Sequence, residues 1–337
     1  MKKFVWLRMR LRRFGKWSIL ALPLLTGGCV IVLGVPPSLL MPNPTLEETT
    51  VQGEGKAKIL MIDISGEITE QSSQGAIGLF AQEGTLQRVE AELEKAEQDD
   101  KIRAIVLRVN SPGGGVTASD EIYARIKEFK RKHHVPVVAA MGDLAASGGY
   151  YVSMSADKVV ASPTTVTGSI GVILMSFSAE GLLQKIGVKN ETIVSGPNKD
   201  LLSPLRTATP EQRLIVQNVV NDLYGRFVAT VRENRPNLKQ DQLTQITDGR
   251  VFSAQEALNV GLVDQIGRLP DAIAMARQMA GVQRAQVIRY QRGGEYFDNL
   301  YAHLGMSRPQ AGLLPLLGLP QGEPRFLYMW SPSAMQG

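Results

Sequence analysis

The sequence predicts an α/β protein with a largely parallel sheet, crossover helices between its strands, and one N-terminal transmembrane helix. Short apolar runs alternate with longer segments whose apolar residues recur every three or four positions. Residues suited to helix capping stand at the starts of those longer segments. This alternation is typical of strand–helix–strand units, which build parallel sheets.

The N-terminal forty residues predict the membrane segment. Residues 1–16 hold seven basic and no acidic side chains, and no charged residue lies between Lys16 and Glu47. The apolar stretch at 17–40 is long enough to cross a bilayer. We favour an uncleaved anchor over a cleaved signal peptide, which would need an A-x-A-like site, and over a lipoprotein modified at Cys29. The basic flank predicts a cytoplasmic N-terminus in the inner cell membrane and an extracytoplasmic bulk.

Composition excludes several classes of protein for the remainder of the chain. The formal net charge is +5, yet without the seven basic residues of 1–16 there remain 30 basic and 32 acidic side chains. Nucleic-acid binding is therefore not expected. Cys29 is the only cysteine and the chain has three histidines, so we expect no disulfide, no metal site and no cofactor.

The domain organisation follows from changes in composition along the chain. Residues 41–57 are rich in Pro, Thr, Gly and Glu and predict a linker. Residues 58–283 carry the alternating pattern, and 284–337 predict an irregular tail. The predicted strands are "KILMIDISGEI", "IRAIVLRVNS", "VPVVAAM" and "ADKVVASP". The predicted helices begin near Thr85, near Thr117, just after Ser147, at Pro210 behind a Thr209–Gln212 capping box, and after Ser253.

Ser147 is the candidate nucleophile, in the stretch "GDLAASGGYY". Two alanines precede it and two glycines follow it. Small neighbours allow a sharp bend and leave room for a second chain. A predicted strand ends before Ser147 and a helix starts after it, which suits a nucleophile held at a turn. A serine hydroxyl is nevertheless a weak nucleophile and needs a base.

The candidate bases are few. His133 and His134 end a basic helix, where the helix C-terminus stabilises a cation that faces water. His303 lies in the predicted tail. A Ser-His-Asp triad is therefore not expected. Lysine can accept the proton where burial lowers its pKa, and "ETIVSGPNKDLLSPLR" offers Lys199. Nothing else in the pattern distinguishes Lys199 from a solvated lysine.

Two glycine-rich turns could complete a site. In "VNSPGGGVTASDE" the amides of Gly113–Gly115 precede a helix, which suits a developing oxyanion or a plain strand-to-helix turn. In "SPTTVTGSIGVI" the Ser169 hydroxyl could orient an amine or satisfy its own turn. Val172 and Ile173 follow it and predict an apolar substrate pocket that prefers small or medium apolar residues.

These stretches together resemble the signal peptide peptidase A family, which consists of membrane-anchored serine peptidases with a fold of the Clp-protease and crotonase type. The matching stretches are "NSPGGG", "GDLAASGGYY", "TGSIGVI", "SGPNKD" and "DGRVFSAQEALNVGLVD". The resemblance spans about residues 58–267 and fits the short form with one catalytic unit. It implies that Ser147 is the nucleophile and Lys199 the general base, that Ser169 orients the lysine, and that the amides of Gly114 and Gly148 form the oxyanion hole.

The same resemblance implies the partners of the chain. They are peptide substrates, chiefly remnant signal peptides, the membrane, and further copies in an octameric ring with shared sites. Three alternatives stay open. A stomatin-cleaving relative would differ in substrate only. A crotonase-like acyl-CoA hydratase would rely on carboxylates and need no anchor. A non-catalytic membrane assembly protein would not need both Ser147 and Lys199.

Overall fold

The computed structural model describes residues 45–70, 73–74, 81–292, 300–301 and 326–330. Within this part of the chain no helix combines the length and the apolar composition that crossing a membrane requires. The predicted anchor at 17–40 and His303 lie outside the described residues. The membrane segment therefore stays a prediction.

The described residues form an α/β fold, as the alternating pattern predicts. The strands are β1 (Leu46–Gln52), β2 (Ala57–Ile68), β3 (Ser73–Gln74), β4 (Ala81–Gln82), β5 (Ile102–Gly115), β6 (Val137–Ala146), β7 (Lys158–Ala161), β8 (Val166–Gly168), β9 (Ile173–Leu174), β10 (Val251–Ser253), β11 (Gln265–Ile266), β12 (Ala285–Arg292) and β13 (Phe326–Met329). The helices are α1 (Thr85–Ala96), α2 (Val116–His133), α3 (Gly148–Ser153), α4 (Glu180–Lys185), α5 (Pro210–Asn234), α6 (Gln240–Ile246), α7 (Ala254–Asn259) and α8 (Leu269–Met279).

The helix starts follow the sequence signals closely. Thr209 caps α5 in a capping box with Gln212, and Pro210 occupies the first turn. Ser253 caps α7 in the same way with Glu256. Both helix starts are thus confirmed, because a capping box depends only on residues that are close together in the chain.

The main sheet is mostly parallel. Its strand order is β1, β12, β2, β5, β6, β7, β11, and only β1 is antiparallel to its neighbour in this row. Towards its end β6 leaves β7 and pairs in parallel with β8, which in turn pairs with β10. Parallel strands end at one edge of the sheet. The glycines that end β5 and the serine that follows β6 therefore meet at that edge.

Both faces of the sheet are buried, as expected for parallel strands covered by crossover helices. Alternate residues of β2 divide between the faces. Leu60 and Ile62 pack in the cluster that includes residues of α1 and α2. Ile59 and Met61 pack in the cluster that includes residues of α8. The core thereby fixes the register of β2 and β5.

The structure differs from the sequence prediction at both ends of the domain. Residues 46–52, placed in the predicted linker, form β1, and residues 285–292, placed in the predicted irregular tail, form β12. The two strands pair with each other. β1 is a polar strand at the edge of the sheet, with four of its seven residues exposed and three half-buried, so its composition resembles that of a linker. In β12 no residue is fully exposed, and Val287, Ile288, Arg289 and Tyr290 are buried in succession, so the strand lacks the alternation that predicts a strand.

Candidate active site

Ser147 lies at the junction of β6 and α3, the position the sequence predicts for it. Its backbone has φ 51° and ψ −115°, a conformation that a non-glycine residue seldom adopts. Two hydrogen bonds hold it there. Its N–H donates to the Gly168 carbonyl at 2.8 Å, and its own carbonyl accepts from the Tyr151 N–H at 2.8 Å. Such backbone strain, held by surrounding structure, is characteristic of functional positions.

The Ser147 side chain is buried without a partner. The residue is 1% exposed, and its Oγ makes no hydrogen bond within the described part of the chain. A buried hydroxyl without a partner destabilises a fold by about 1–3 kcal/mol. Because native structures rarely keep such a group without reason, this hydroxyl is the strongest candidate in the site for a reacting atom.

The glycines around Ser147 are required by close packing. A Cβ on Gly148 would lie 2.5 Å from Ser119 Oγ, and one on Gly149 would lie 2.8 Å from the Ser111 carbonyl oxygen. Real Cβ atoms do not approach other atoms so closely. The small residues in the sequence thus allow α3 to pack directly against the end of β5.

The glycine turn at the end of β5 lies against the same helix start. Gly113 has φ 101°, and a Cβ placed on it would lie 2.6 Å from the Gly148 nitrogen. Ser111 holds the turn, because its hydroxyl donates to the Gly66 carbonyl at 2.6 Å and accepts from the Gly113 N–H at 3.0 Å. The structure therefore brings the Gly113–Gly114 turn and the Gly148 amide together beside Ser147.

Ser169 comes to the same edge through the strand β8. It has φ 50°, is 7% exposed, and donates its N–H to the Arg250 carbonyl at 2.7 Å. Its predecessor Gly168 accepts the Ser147 N–H, so the two serines stand on adjoining backbone segments. The ring of Phe252 packs on Gly168, where a Cβ would lie 2.6 Å from its Cδ2.

Lys199 is placed differently from the other predicted site residues. Its side chain is exposed, and within the described residues its ammonium makes neither a hydrogen bond nor an ion pair. The segment around it is nevertheless fixed. The Lys199 N–H donates to the Gly196 carbonyl at 3.1 Å, and Asp200 accepts from Arg206 Nε at 2.6 Å. In the described part of the chain Lys199 and Ser147 therefore share no hydrogen bond.

Val172 and Ile173 lie beyond Ser169 and are both half-buried. Val172 packs against the core, and Ile173 belongs to β9. Among the described residues no three His, Cys, Asp or Glu side chains converge as they would around a metal ion.

Sequence reasoning missed the polar side chains of α2 and α5 that bind Tyr151 of α3. The Tyr151 hydroxyl donates to Asp120 Oδ1 at 2.5 Å and accepts from Thr230 Oγ1 at 3.0 Å. Arg226 binds both oxygens of Asp120 at 2.8 Å. Burial, and then the bond to Asp120, raise the pKa of Tyr151 above its ordinary value. The paired tyrosines after Ser147 were the only signal in the sequence for this network, which ties α5 to the helix that follows the nucleophile.

Comparisons with known proteins identify the family of the chain. The sequence model of peptidase family S49 matches residues 129–283, and that of Clp protease matches residues 63–167. A candidate signal peptide peptidase SppA of Enterococcus faecium is 36% identical over 249 residues, which cover 74% of this chain and 71% of the relative.

Two further relatives are similar over most of their length. A candidate protease of Synechocystis sp. is 42% identical over 57% of this chain and 69% of its own. One of Methanocaldococcus jannaschii is 36% identical over 70% of this chain and 75% of its own. The match to the Clp protease model also agrees with the parallel sheet described above. The chain therefore belongs to peptidase family S49 and is a serine peptidase.

Proposed function

We propose that the chain is a membrane-anchored endopeptidase that uses a Ser147–Lys199 dyad to hydrolyse cleaved signal peptides and other peptides near the membrane. The observation that carries this proposal is the buried, unpartnered hydroxyl of Ser147. It lies on a strained strand-to-helix turn beside the Gly148 amide and the Gly113–Gly114 turn. This is the arrangement that acyl transfer from a peptide to a serine requires.

The reaction proceeds in two halves. Ser147 Oγ attacks the scissile carbonyl carbon while Lys199 Nζ, neutral at that moment, takes the hydroxyl proton. The Gly114 and Gly148 amides donate to the oxyanion. The C–N bond then breaks, Lys199 returns its proton to the leaving amine, and an acyl-enzyme remains. Water attacks the ester carbonyl while Lys199 accepts one of its protons. The C–Oγ bond then breaks, Lys199 returns the proton to Ser147 Oγ, and the acid product leaves. Ser169 orients the lysine.

The positions of the histidines support a lysine base. His133 and His134 lie at the far end of α2, which has 18 residues and starts next to Gly115. At 1.5 Å per residue they are about 27 Å along the helix from the glycine turn. The His133 ring stacks on Phe129 at 4.3 Å between centroids. Neither histidine can accept a proton from Ser147.

Lys199 serves a neighbouring subunit in this proposal. Its exposure in the single chain is what a residue supplied across a subunit contact requires. Exposed apolar side chains lie near Lys199 in the sequence, some of them in α4 and α5. Such side chains suit burial against further copies of the chain. They include Phe177, Leu182, Ile186, Ile193, Leu205 and Leu214. Because most homo-oligomers close with point-group symmetry, we propose an octameric ring with shared sites.

The substrate pocket in this proposal is formed by Val172 and Ile173. Both are apolar and half-buried, and the cavity that they line has Leu174, Val216 and Val220 in its walls together with Arg206 and Arg213. Small or medium apolar residues before the cleaved bond fit such walls. The predicted anchor at 17–40 places the site on the extracytoplasmic side of the inner membrane, where released signal peptides are embedded.

Hydrolysis of a synthetic signal peptide by the detergent-solubilised full chain tests the proposal. Ser147→Ala is expected to lower the rate by at least about a thousandfold, because the nucleophile is lost. Ser195→Ala removes an exposed serine and is the matched control. Equal rates for the Ser147→Ala variant and the unchanged chain would overturn the proposal.

A further inference from the structure

Asp200, the residue after the proposed base Lys199, is bound by two nitrogens of one guanidinium. Arg206 Nε donates to Asp200 Oδ2 at 2.6 Å, and Arg206 Nη2 donates to Asp200 Oδ1. Both side chains are half-buried, whereas Lys199 is exposed. The hydrogen bonds from Arg206 lower the pKa of Asp200, so its carboxylate is charged at neutral pH. The acidic side chain next to Lys199 is thereby neutralised by a fixed partner.

The same guanidinium is joined to the start of α5. Arg206 Nη1 donates to Gln212 Oε1 at 2.9 Å, and Gln212 Nε2 donates to the Pro197 carbonyl at 2.7 Å. Gln212 is 3% exposed and also closes the capping box of α5. A buried amide that is hydrogen-bonded at both ends fixes the groups that it binds. Pro197 and Asp200, on either side of Lys199, are therefore both attached to the first turn of one long helix.

The chain between Asp200 and Arg206 turns tightly. The Ser203 N–H donates to the Asp200 carbonyl at 3.0 Å, and Leu202 has φ 65°, which is unfavourable for a residue other than glycine. Such strain persists only where the surrounding structure holds it. Arg206 follows Asp200 by six residues, and its bonds to Asp200 close the turn. The ion pair therefore opposes the backbone strain at Leu202.

Charged groups from α4 and α5 also lie near Arg206. Glu180 of α4 accepts from the Thr207 N–H at 2.8 Å and interacts electrostatically with Arg206. Arg213 of α5 lines the same cavity as Arg206. Both charges stay in place when Asp200 or Arg206 is replaced. Each replacement therefore changes the charge beside Lys199 by one unit.

We propose that three side chains, Asp200, Arg206 and Gln212, form a clamp that positions the proposed base for proton transfer. Within the clamp, Arg206 prevents the Asp200 carboxylate from holding Lys199 as an ammonium ion. This inference rests on the proposed role of Lys199, which must be neutral when it accepts the Ser147 proton. An unpaired carboxylate nearby favours the charged amine, whereas a carboxylate paired with a guanidinium has little net effect. The clamp residues act through Lys199 and are positioning residues.

The pH dependence of kcat/KM for a synthetic signal peptide tests the charge balance. Arg206→Gln leaves Asp200 unpaired, so the acid limb of the profile is expected to move to higher pH by about 0.5 unit or more. Asp200→Asn leaves Arg206 unpaired, so the limb is expected to move to lower pH. The double variant restores the balance and is expected to return the limb to its original position. Arg284→Gln, which breaks an exposed ion pair with Glu54, is the control. Limbs that do not move, or that move in one direction in both single variants, would overturn the inference.

The division of the effect between kcat and KM separates this role from contact with the substrate, since Arg206 also lines the proposed substrate cavity. Loss of the clamp is expected to lower kcat at least about tenfold near pH 7 and to change KM less than about twofold. Gln212→Glu keeps the capping box and the bond from Arg206 but cannot donate to Pro197, and it is expected to lower kcat in the same way. A raised KM with unchanged kcat in these variants would assign Arg206 to the cavity wall and contradict the clamp.

Hydrogen exchange of the Lys199 segment does not depend on catalysis. The Lys199 N–H donates to the Gly196 carbonyl at 3.1 Å. In the Arg206→Gln and Gln212→Glu chains, residues 196–202 are expected to exchange at least about tenfold faster than in the unchanged full chain, with α7 as the internal reference. Equal exchange would show that the clamp does not hold this turn. If Lys199→Ala hydrolysed peptide at the full rate, the proposed base would fail, and exchange would still decide whether the clamp fixes the turn.

Discussion

The Ser147 N–H donates to the Gly168 carbonyl at 2.8 Å, and this bond ties the candidate nucleophile to the residue just before Ser169. Two turns that are 21 residues apart in the chain are thereby held as one unit. Both serines have positive φ. A main-chain hydrogen bond holds the strained backbone of each serine. The Ser147 N–H donates to Gly168, and the Ser169 N–H donates to the Arg250 carbonyl. The site is therefore preorganised by main-chain contacts before any substrate binds.

Replacement of Gly148 tests this preorganisation. The new methyl group of Gly148→Ala would lie 2.5 Å from Ser119 Oγ, so α3 must shift and move the amide away from the oxyanion. We expect kcat to fall about 100-fold or more, as for the loss of an oxyanion donor. Gly181→Ala, where nothing lies within 4 Å, is the control and should keep full activity. Steady-state kinetics on both variants measures this, and an unchanged kcat for Gly148→Ala would count against the assigned hole.

Replacement of Lys199 tests the base. Lys199→Arg keeps the charge and length, but a guanidinium does not lose its proton in the working pH range. We expect this variant and Lys199→Ala to be inactive in peptide hydrolysis while folding normally. Lys189→Ala, which removes another exposed lysine of the same segment, should be fully active. Substantial activity in Lys199→Arg would exclude Lys199 as the base.

Mixing of inactive chains tests whether sites are shared. If each Ser147 receives Lys199 from a neighbour, co-expressed Ser147→Ala and Lys199→Ala chains form some sites with both residues intact. Random assembly gives roughly a quarter of the sites. Activity of the purified mixed oligomer near that fraction is expected. If the well-mixed oligomer is inactive, the dyad belongs to one chain.

Glu92 predicts a pH dependence of stability. Burial raises the pKa of its carboxyl to about 7, although Arg88 lies 2.9 Å away and opposes the shift. Since the folded-state pKa is above the unfolded one, the stabilising contribution is complete below about pH 4.5 and is lost as the pH rises through about 7. Glu92→Gln should remove this loss and flatten the unfolding free energy between pH 5 and 7. Urea titrations followed by circular dichroism measure it; parallel curves for the two proteins would contradict the account.

Much of the fold could be predicted because its signals are local. The apolar runs of β2, β5 and β6 and the capping boxes at Thr209 and Ser253 depend on residues that are near each other in the chain. β1 and β12 could not be paired in advance, since their register joins residues more than 230 positions apart and β1 carries few apolar side chains.

The candidate site shows the same division. Ser147 and the glycines were predicted from small residues in the right order, and the structure brings them together. The strand β13 was missed because its pairing with Gly113–Gly115 depends on a distant segment, although "RFLYMW" is apolar and aromatic. Lys199 was singled out by resemblance rather than by its surroundings, and in the single chain its surroundings are still solvent.

The most direct measurement of the central claim is covalent labelling with a fluorophosphonate, followed by peptide mass spectrometry. The reagent forms a stable bond with an activated serine hydroxyl and little with an ordinary one. We predict a single adduct on Ser147 in the full chain, and no adduct in Ser147→Ala or Lys199→Ala. An adduct on another serine, or labelling that persists in Ser147→Ala, would contradict the assignment of Ser147 as the nucleophile.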